Sequence, residues 1–208
     1  IKIGGKTLIE LAVNSANESK LLSRTILSSD DNEIIAEAKR CGCEAPFVRP
    51  IELATDTSST FDVIKHALDW LSNNEGWKAD ILAILQPTTP FRRGHHIDSV
   101  IEILLEKKSD AAITIREPDY SPYWMMKIDN DNKLSSIIEG GNRYKRRQDT
   151  PKVYQPAGMV YAFNKELLNE ITSLFPFKDT RGFIVSKEES INIDSYLDYE
   201  LAKTLSKK

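Results

Sequence analysis

The stretch ILAILQPTTPFRR, residues 81–93, joins five apolar residues to a polar loop that contains two prolines. The short continuous apolar run Ile81–Leu85 predicts a strand buried on both faces. Pro87 and Pro90 restrict the backbone directly after it. Ligands of open α/β sheets bind beyond the carboxyl ends of the strands, so the loop predicts that Gln86 stands at the rim of a binding crevice. A plain strand-to-helix turn is the alternative that this pattern leaves open.

Short apolar segments alternate with helical periodicity on both sides of this stretch. The pattern predicts strands at 24–29, 43–48 and 111–116, and helices at 6–17, 32–41, 61–71 and 96–107. The polar turn 52–60 supplies a Ser/Thr cap for the third helix. This alternation is typical of an α/β fold whose mostly parallel central sheet is flanked by helices.

The texture changes after Arg116. Residues 117–155, here called the arm, combine turn signals with short alternating strands, and they include Tyr120, Trp124 and Met126. This predicts an inserted β-rich arm whose apolar side chains make an oligomer contact. The α/β pattern then returns, with strands predicted at 158–163, 182–186 and 190–194 and helices near 165–173 and 198–205.

Composition narrows the function classes. The 208 residues suit a single domain, 1–208, and 28 Lys+Arg against 31 Asp+Glu give no overall field that attracts nucleic acid or a membrane surface. No apolar run approaches the roughly 18 residues of a membrane span, so a cytoplasmic protein is expected. The sequence contains no Walker loop, no Gly-rich dinucleotide motif and no Gly-x-Ser-x-Gly elbow.

Two polar segments hold candidate site residues. RYKRRQD, residues 143–149, contains four cations, which form either a solvated surface or a site for a polyanion such as a nucleoside triphosphate. In SINIDSYLD, residues 190–198, Asp194 is a candidate Mg²⁺ ligand or a helix N-cap, and Asp198 is expected in the first helical turn. The adjacent His95 and His96 are expected to diverge and to be structural.

Four segments in the same order resemble the N-acylneuraminate cytidylyltransferases, the CMP-sialic acid synthetases. They are RPIELATDTSSTFDVIKHAL, LQPTTPFR, RRQDTPKVYQPAG and SINIDSYLD, and together they span most of the chain. The resemblance implies a Rossmann-like nucleotidyltransferase fold and a homodimer joined by the arm. It also implies Mg²⁺-dependent transfer of CMP from CTP to a nonulosonic sugar acid with release of pyrophosphate.

The same resemblance assigns site residues position by position. It places Arg49, Ser58 and Thr60 on the cytidine and ribose side of the cleft. It places Gln86 and Gln155 on the sugar side. The resemblance gives the catalytic roles to Arg147, which faces the anionic substrates, and to Asp194, which binds the metal together with Asn192.

Three departures from the family pattern modify these expectations. Asn192-Ile193-Asp194 stands where the family has Asp-x-Asp, and Gln155-Pro156-Ala157-Gly158 stands where it has Arg-Pro-Asn-Gly. The opening IKIGGKTLIE matches the residues that follow the family's first strand and basic phosphate loop. The sequence alone is therefore expected to bind CTP weakly, if at all, and to show no synthetase activity, and about 20 upstream residues, a strand with its loop, are expected to restore both.

Alternative functions stay open at this level. The chain could be a non-catalytic relative that binds a nucleotide or a partner protein, or a cytidylyltransferase for another keto-deoxy sugar acid. RNA binding through residues 143–147 is the least favoured alternative, because the net charge is acidic.

Overall fold

The computed structural model describes residues 1–170 and 178–207. Its α-helices are α1 (Leu8–Glu18), α2 (Asn32–Arg40), α3 (Thr60–Glu75), α4 (Gly94–Lys107) and α5 (Tyr196–Leu205). Its strands are β1 (Lys2–Ile3), β2 (Lys6–Thr7), β3 (Ile81–Leu85), β4 (Ala111–Arg116), β5 (Met126–Ile128), β6 (Leu134–Ser136), β7 (Gln155–Asn164) and β8 (Thr180–Ile184). The predicted helices from 6–17, 32–41, 61–71, 96–107 and 198–205 are confirmed, with ends shifted by a few residues.

The central sheet has the strand order β3-β7-β4-β8. Strands β3, β4 and β8 share one direction, but β7 lies between β3 and β4 and runs antiparallel to both. The prediction of a mostly parallel sheet is therefore corrected to a mixed sheet. A parallel neighbour needs a crossover connection, usually a helix. The described residues between β4 and β7 contain no α-helix, so the chain re-enters the sheet from the edge where β4 ended.

Helices cover both faces of this sheet. The α4 residues Ile97, Val100 and Leu104 pack with Ala83 on one face of β3. On the opposite face Phe61, at the start of α3, packs near Leu82. Successive strand residues point to opposite faces, so the continuous apolar run of β3 is used on both sides, as the sequence predicted. Each fully buried side chain of this size contributes about 1.5–3 kcal/mol.

Three predicted strands do not form. In place of a strand ladder, the backbones of segments 24–29 and 43–48 form an isolated parallel bridge between Ile26 and Glu44. An apolar groove of about 500 Å³ separates residues 21–28 from the outer edge of β3, so these segments do not extend the described sheet. The segment 190–194 is extended but pairs with a loop instead of a strand, because the amide of Ile193 donates to the carbonyl of Thr88 at 2.9 Å.

The arm is less regular than predicted. Its strands β5 and β6 form one hairpin of three residues each, and the remainder consists of irregular segments with three short 3₁₀ turns among the described residues. The predicted helix near 165–173 begins as a 3₁₀ helix, Lys165–Asn169, and its residues 171–173 lie outside the described residues. Within residues 1–170 and 178–207, no helix is both long and apolar enough to cross a membrane.

A buried arginine connects three parts of the fold. The guanidinium of Arg92 donates to Ser15 Oγ in α1 at 3.0 Å, to the Gln86 carbonyl at 2.7 Å and to the Met159 carbonyl of β7 at 2.9 Å. It also donates to Thr89 Oγ1 at 3.0 Å. The side chain is only 2% exposed. Arg92 therefore ties α1, the loop after β3 and β7 together from inside the protein.

We expect Arg92→Met to lower the free energy of unfolding by about 2–4 kcal/mol, because it leaves buried oxygens without donors while nearly conserving volume. Arg93→Met is the matched control, since Arg93 is exposed and its pair with Glu18 is long at 3.4 Å. Arg93→Met is expected to lower the free energy of unfolding by about 0.5 kcal/mol or less. Urea unfolding followed by circular dichroism measures both. Equal losses in the two variants would show that Arg92 does not hold the fold together.

Candidate functional site

A pocket of about 700 Å³ opens at the edge of the sheet where β3, β4 and β8 end. Gln86 follows β3, Arg116 ends β4, and Lys187 follows β8. Because β7 is antiparallel, its first residue, Gln155, reaches the same edge and pairs with Arg116. Residues far apart in sequence thus meet at one rim, and Gln86, at the start of the loop after β3, is among them.

The position of Gln86 depends on a glycine. Gly158 has φ +74°, a left-handed conformation that favours glycine, and a Cβ there would stand 3.2 Å from Gln86 Oε1. On the other side of the loop, Arg92 holds the Gln86 carbonyl. The Gln86 side chain therefore lies next to Gly158, which has no side chain of its own, and lines the pocket.

Asn192 and Asp194 also line the pocket and contact each other. Asn192 Nδ2 donates to Asp194 Oδ2 at 2.5 Å, while Asn192 Oδ1 is buried without a hydrogen-bond partner among the described residues. The helix N-cap at this point is Ser195, which forms a capping box with Asp198, so the N-cap alternative for Asp194 is wrong. Asp194 is exposed, and the Asn192 amide that contacts its carboxylate has an oxygen without a donor. A carboxylate and an amide oxygen are ligands that fit a hard cation such as Mg²⁺.

A cationic group forms another part of the pocket wall. With its amide oxygen turned toward Arg116, Gln155 accepts from Arg116 Nε at 3.2 Å and from Nη2 at 2.8 Å. Asp119 accepts from Lys187 Nζ at 2.6 Å and from Arg116 Nη1 at 3.3 Å. The hydrogen bond from Lys187 is the main reason that the pKa of Asp119 is lowered. Two cations thus share one carboxylate that stays ionised.

Four predicted site residues lie outside this pocket. Arg49 is half-buried and donates through Nε to Ser28 Oγ at 3.1 Å. Ser58 closes its own turn by contacting Thr55, and Thr60 is the first residue of α3. Arg147 is exposed in the arm. The structure therefore brings Gln86, Gln155, Asn192 and Asp194 together and leaves the roles of the other four as predictions.

His95, His96 and Glu189 form a second group of polar side chains, and here the expected divergence of the histidines is wrong. The two rings lie 3.9 Å apart, and the potential ligand atoms of the three residues lie within 4.8 Å of one another. His96 Nδ1, however, accepts the Arg93 amide at 3.0 Å, so its Nε2 carries the proton and faces Glu189 at 3.3 Å. Burial lowers the pKa of His96, which keeps the ring neutral. Both ring nitrogens are used, and His96 is structural as predicted.

Residues 1–205 match the cytidylyltransferase family. This chain belongs to that family. A cytidylyltransferase fold explains why the polar residues meet at the carboxyl edge of a sheet flanked by helices, where open α/β folds hold their ligands.

This chain is similar to two relatives in sequence and to one solved structure in fold. N-acylneuraminate cytidylyltransferase of Escherichia coli is 28% identical over 204 residues, which are 98% of this chain and 46% of that enzyme. Pseudaminic acid cytidylyltransferase of Campylobacter jejuni is 30% identical over 206 residues, which are 98% and 86% of the two chains. CMP:2-keto-3-deoxy-manno-octonic acid synthetase, solved with CTP, has a TM-score of 0.68 at 15% identity over 99% of this chain and 89% of that one, which supports the shared fold.

The chain thus spans about half the length of the E. coli relative and most of the C. jejuni relative. Two pocket residues of this cytidylyltransferase, Arg116 and Lys187, are absent from the set predicted from sequence. Arg116 ends the strand AAITIR, and the rule that selected Gln86 at the end of β3 applies to it equally. No comparable signal marks Lys187, which lies in the loop after β8.

Proposed function

We propose that this cytidylyltransferase transfers CMP from CTP to a nonulosonic, sialic-acid-like sugar acid and releases pyrophosphate. The observation that carries the proposal is the convergence of Gln86, Gln155, Asn192 and Asp194 in one pocket at the carboxyl edge of the sheet. Relatives at 28–30% identity over nearly the whole chain are named for CMP transfer to such acids.

The reaction is an in-line displacement at phosphorus. The anomeric hydroxyl of the sugar attacks the α-phosphorus of CTP, the bond from that phosphorus to the α–β bridging oxygen breaks, and pyrophosphate leaves while the hydroxyl proton passes to solvent or a base. Catalysis of such a step rests on positioning and on cancelling phosphate charge. Gln86 and Gln155 offer amide donors and acceptors to the hydroxyls of the sugar. Their placement on strand ends makes that alignment rigid.

Mg²⁺ fits the Asn192–Asp194 pair, because one oxygen there is orphaned and the other belongs to an exposed carboxylate. When bound, Mg²⁺ would supply positive charge that offsets the charge of the phosphates. Asp194 would contribute the charged oxygen and Asn192 the neutral one. The amide also orients the carboxylate through its own hydrogen bond.

Arg49, Ser58 and Thr60 are proposed to contact the base and ribose of CTP, and Arg147 is proposed to bind its phosphates. Two neighbours of Arg147 are already engaged. Arg146 makes two hydrogen bonds of 2.9 Å to Asp149, and the Arg143 guanidinium lies 5.1 Å from the centre of the Tyr144 ring. None of the described side chains pairs with Arg147. Its planar fork therefore stays available for two phosphate oxygens.

The arm is proposed to join two copies of the chain. It exposes a series of large apolar side chains, namely Tyr120, Trp124, Met125, Met126, Ile128, Leu134 and Ile137. Exposed large apolar side chains concentrated in one segment are typical of an interface. Homo-oligomers are most often two-fold dimers.

When the predicted upstream strand and loop precede it, the wild-type chain is expected to release pyrophosphate with CTP, Mg²⁺ and one of three acids: N-acetylneuraminic, pseudaminic or 2-keto-3-deoxy-manno-octonic acid. Asp194→Asn is expected to lower the rate by about 100-fold or more, because it removes the charged metal ligand. A coupled pyrophosphate assay measures both. Glu200→Gln, on the outer face of α5, is the control and should keep the wild-type rate.

CTP binding without turnover of any acid would favour a non-catalytic nucleotide-binding relative. A rate for Asp194→Asn equal to wild type would remove Asp194 from the metal site. Turnover of the octonic acid alone would select the alternative keto-deoxy substrate.

Ile128→Glu is expected to convert the dimer to a monomer, because it places a charge in the apolar patch of the arm. Sedimentation velocity at about 10 µM distinguishes the two species. Lys127→Glu, the adjacent exposed position, tests whether added negative charge alone has this effect. A wild-type chain that sediments as a monomer would refute the proposed dimer.

Arg147→Ala is expected to raise the KM for CTP by about tenfold, because the charge-assisted hydrogen bonds to the phosphates of CTP are lost. Lys145→Ala, an exposed cation two positions earlier, should change it by about twofold or less. Similar small effects in both variants would indicate that the RYKRRQD segment is a solvated surface and not a phosphate site. Steady-state kinetics at saturating sugar acid provide the comparison.

A further inference from the structure

We propose that Arg116 and Lys187 bind the carboxylate of the acceptor sugar acid, an assignment that rests on the function proposed above. Both side chains line the pocket that holds Gln86 and Asp194. Neither has another role in the proposed reaction. The proposal names the part of the substrate that this wall of the pocket recognises.

The two cations are built into the ends of neighbouring strands. β4 and β8 are parallel, and the Val185 amide donates to the Ile115 carbonyl at 2.9 Å, so the chain beyond β8 stays beside the end of β4. Gln155 engages Nε and Nη2 of Arg116 and thereby fixes the plane of the guanidinium. A guanidinium held in this way is pre-organised for a planar anion, so less side-chain entropy is lost when the anion binds.

The charge of this wall suits one carboxylate better than a triphosphate. Arg116 and Lys187 share the single carboxylate of Asp119, which leaves one net positive charge. Elsewhere the pocket is lined by acidic Glu188, Asp194 and Asp198, which repel a polyanion that lacks a metal. A monoanionic group is therefore the ligand that this cation pair can neutralise.

Asp119 does not exclude such a ligand. Its contact with Arg116 Nη1 is 3.3 Å, longer than the 2.7–2.9 Å typical of a strong charge-assisted hydrogen bond. The Asp119 side chain is also 58% exposed, so the pair is weakened by solvent. A substrate carboxylate can displace it from Arg116 while Asp119 keeps its shorter bond to Lys187.

Binding the carboxylate also positions the nucleophile. In a nonulosonic acid the anomeric hydroxyl is attached to the carbon that bears the carboxylate. Fixing the carboxylate on Arg116 and Lys187 therefore confines the hydroxyl to a small region of the same pocket. A neutral sugar of equal size gains no such restraint, so this contact selects for acids.

The test compares wild type with Arg116→Met, Arg116→Lys and Lys187→Met in pyrophosphate kinetics, using the acid that wild type accepts best. Arg116→Met is expected to raise the KM for the acid by about 10- to 100-fold and to leave the KM for CTP within about twofold. The KM of Arg116→Lys for the acid should fall between those of wild type and Arg116→Met, because lysine keeps the positive charge but lacks the planar, forked guanidinium. The methyl ester of the same acid, which has no carboxylate charge, should bind wild type and Arg116→Met within about threefold of each other.

Arg181→Met is the matched control, since Arg181 is an exposed cation of β8 that pairs with Asp179 and does not line the pocket. Thermal melts check that each variant folds. Normal turnover with an unchanged KM for the acid in both Arg116→Met and Lys187→Met would overturn this inference and leave the proposed function standing.

If wild type shows no turnover, calorimetric titration of each acid into wild type and Arg116→Met decides the matter. Binding that is lost in the variant would support the carboxylate site while the proposed function falls. Equal binding by the two proteins, or no binding by either, would overturn the site.

Discussion

The buried guanidinium of Arg92 is the interaction on which the geometry of the pocket depends. It is a cation with no carboxylate partner among the described residues, and burial lowers its pKa to about 10. Burying a charge is costly unless hydrogen bonds compensate for the lost hydration. Arg92 gains that compensation through Nε and Nη1, which donate to oxygens from α1, the loop after β3 and β7, while Nη2 has no partner among the described residues. The fold must hold those oxygens in place, so the loop cannot move independently of β7.

The pocket follows from that constraint. Fixing the Gln86 carbonyl sets where the Gln86 side chain can lie, and Gly158 leaves room for it. Arg92 also holds the Met159 carbonyl of β7. The pairing of β7 with β4 shifts register between Ile113 and Ile115, and beyond that shift Gln155 lies opposite Arg116. The loop after β3, which contains two prolines and two threonines, is therefore part of both the site and the core. Its rigidity is useful because in-line transfer tolerates little displacement of the reacting groups.

Much of this architecture could be predicted from sequence because it is local. The run Ile81–Leu85, the helix that Asp31 caps and the apolar face of α4 each carry their signal within a few residues. The direction of β7 could not be predicted in this way. It depends on the path of the arm, and a strand has the same apolar pattern whichever way it runs. The same limit explains why 24–29 was expected as a strand, since extended residues need a neighbour that periodicity does not reveal.

The candidate site divides in a similar way. Gln86, Gln155, Asn192 and Asp194 were predicted through ordered motifs and meet in one pocket. Arg116 and Lys187 belong to no such motif, and their pairing through Asp119 joins residues 68 positions apart. Arg49 and Ser58, in contrast, were predicted from motifs but are held by Ser28 and Thr55, so their roles depend on ligand contacts that motif order alone does not establish.

The charge balance of the pocket gives a physical reason why residue 192 is a neutral asparagine and not a second carboxylate. A second carboxylate at that position would lie against Asp194 and would raise the repulsion toward both the sugar carboxylate and the phosphates. The amide instead donates to Asp194, and its own oxygen has no partner among the described residues. Arg116, Lys187 and Asp119 give one wall of the pocket a net positive charge, whereas Glu188, Asp194 and Asp198 make the rest of the lining acidic. Neutral amides at Gln86, Gln155 and Asn192 offer hydrogen bonds without adding to that acidic charge.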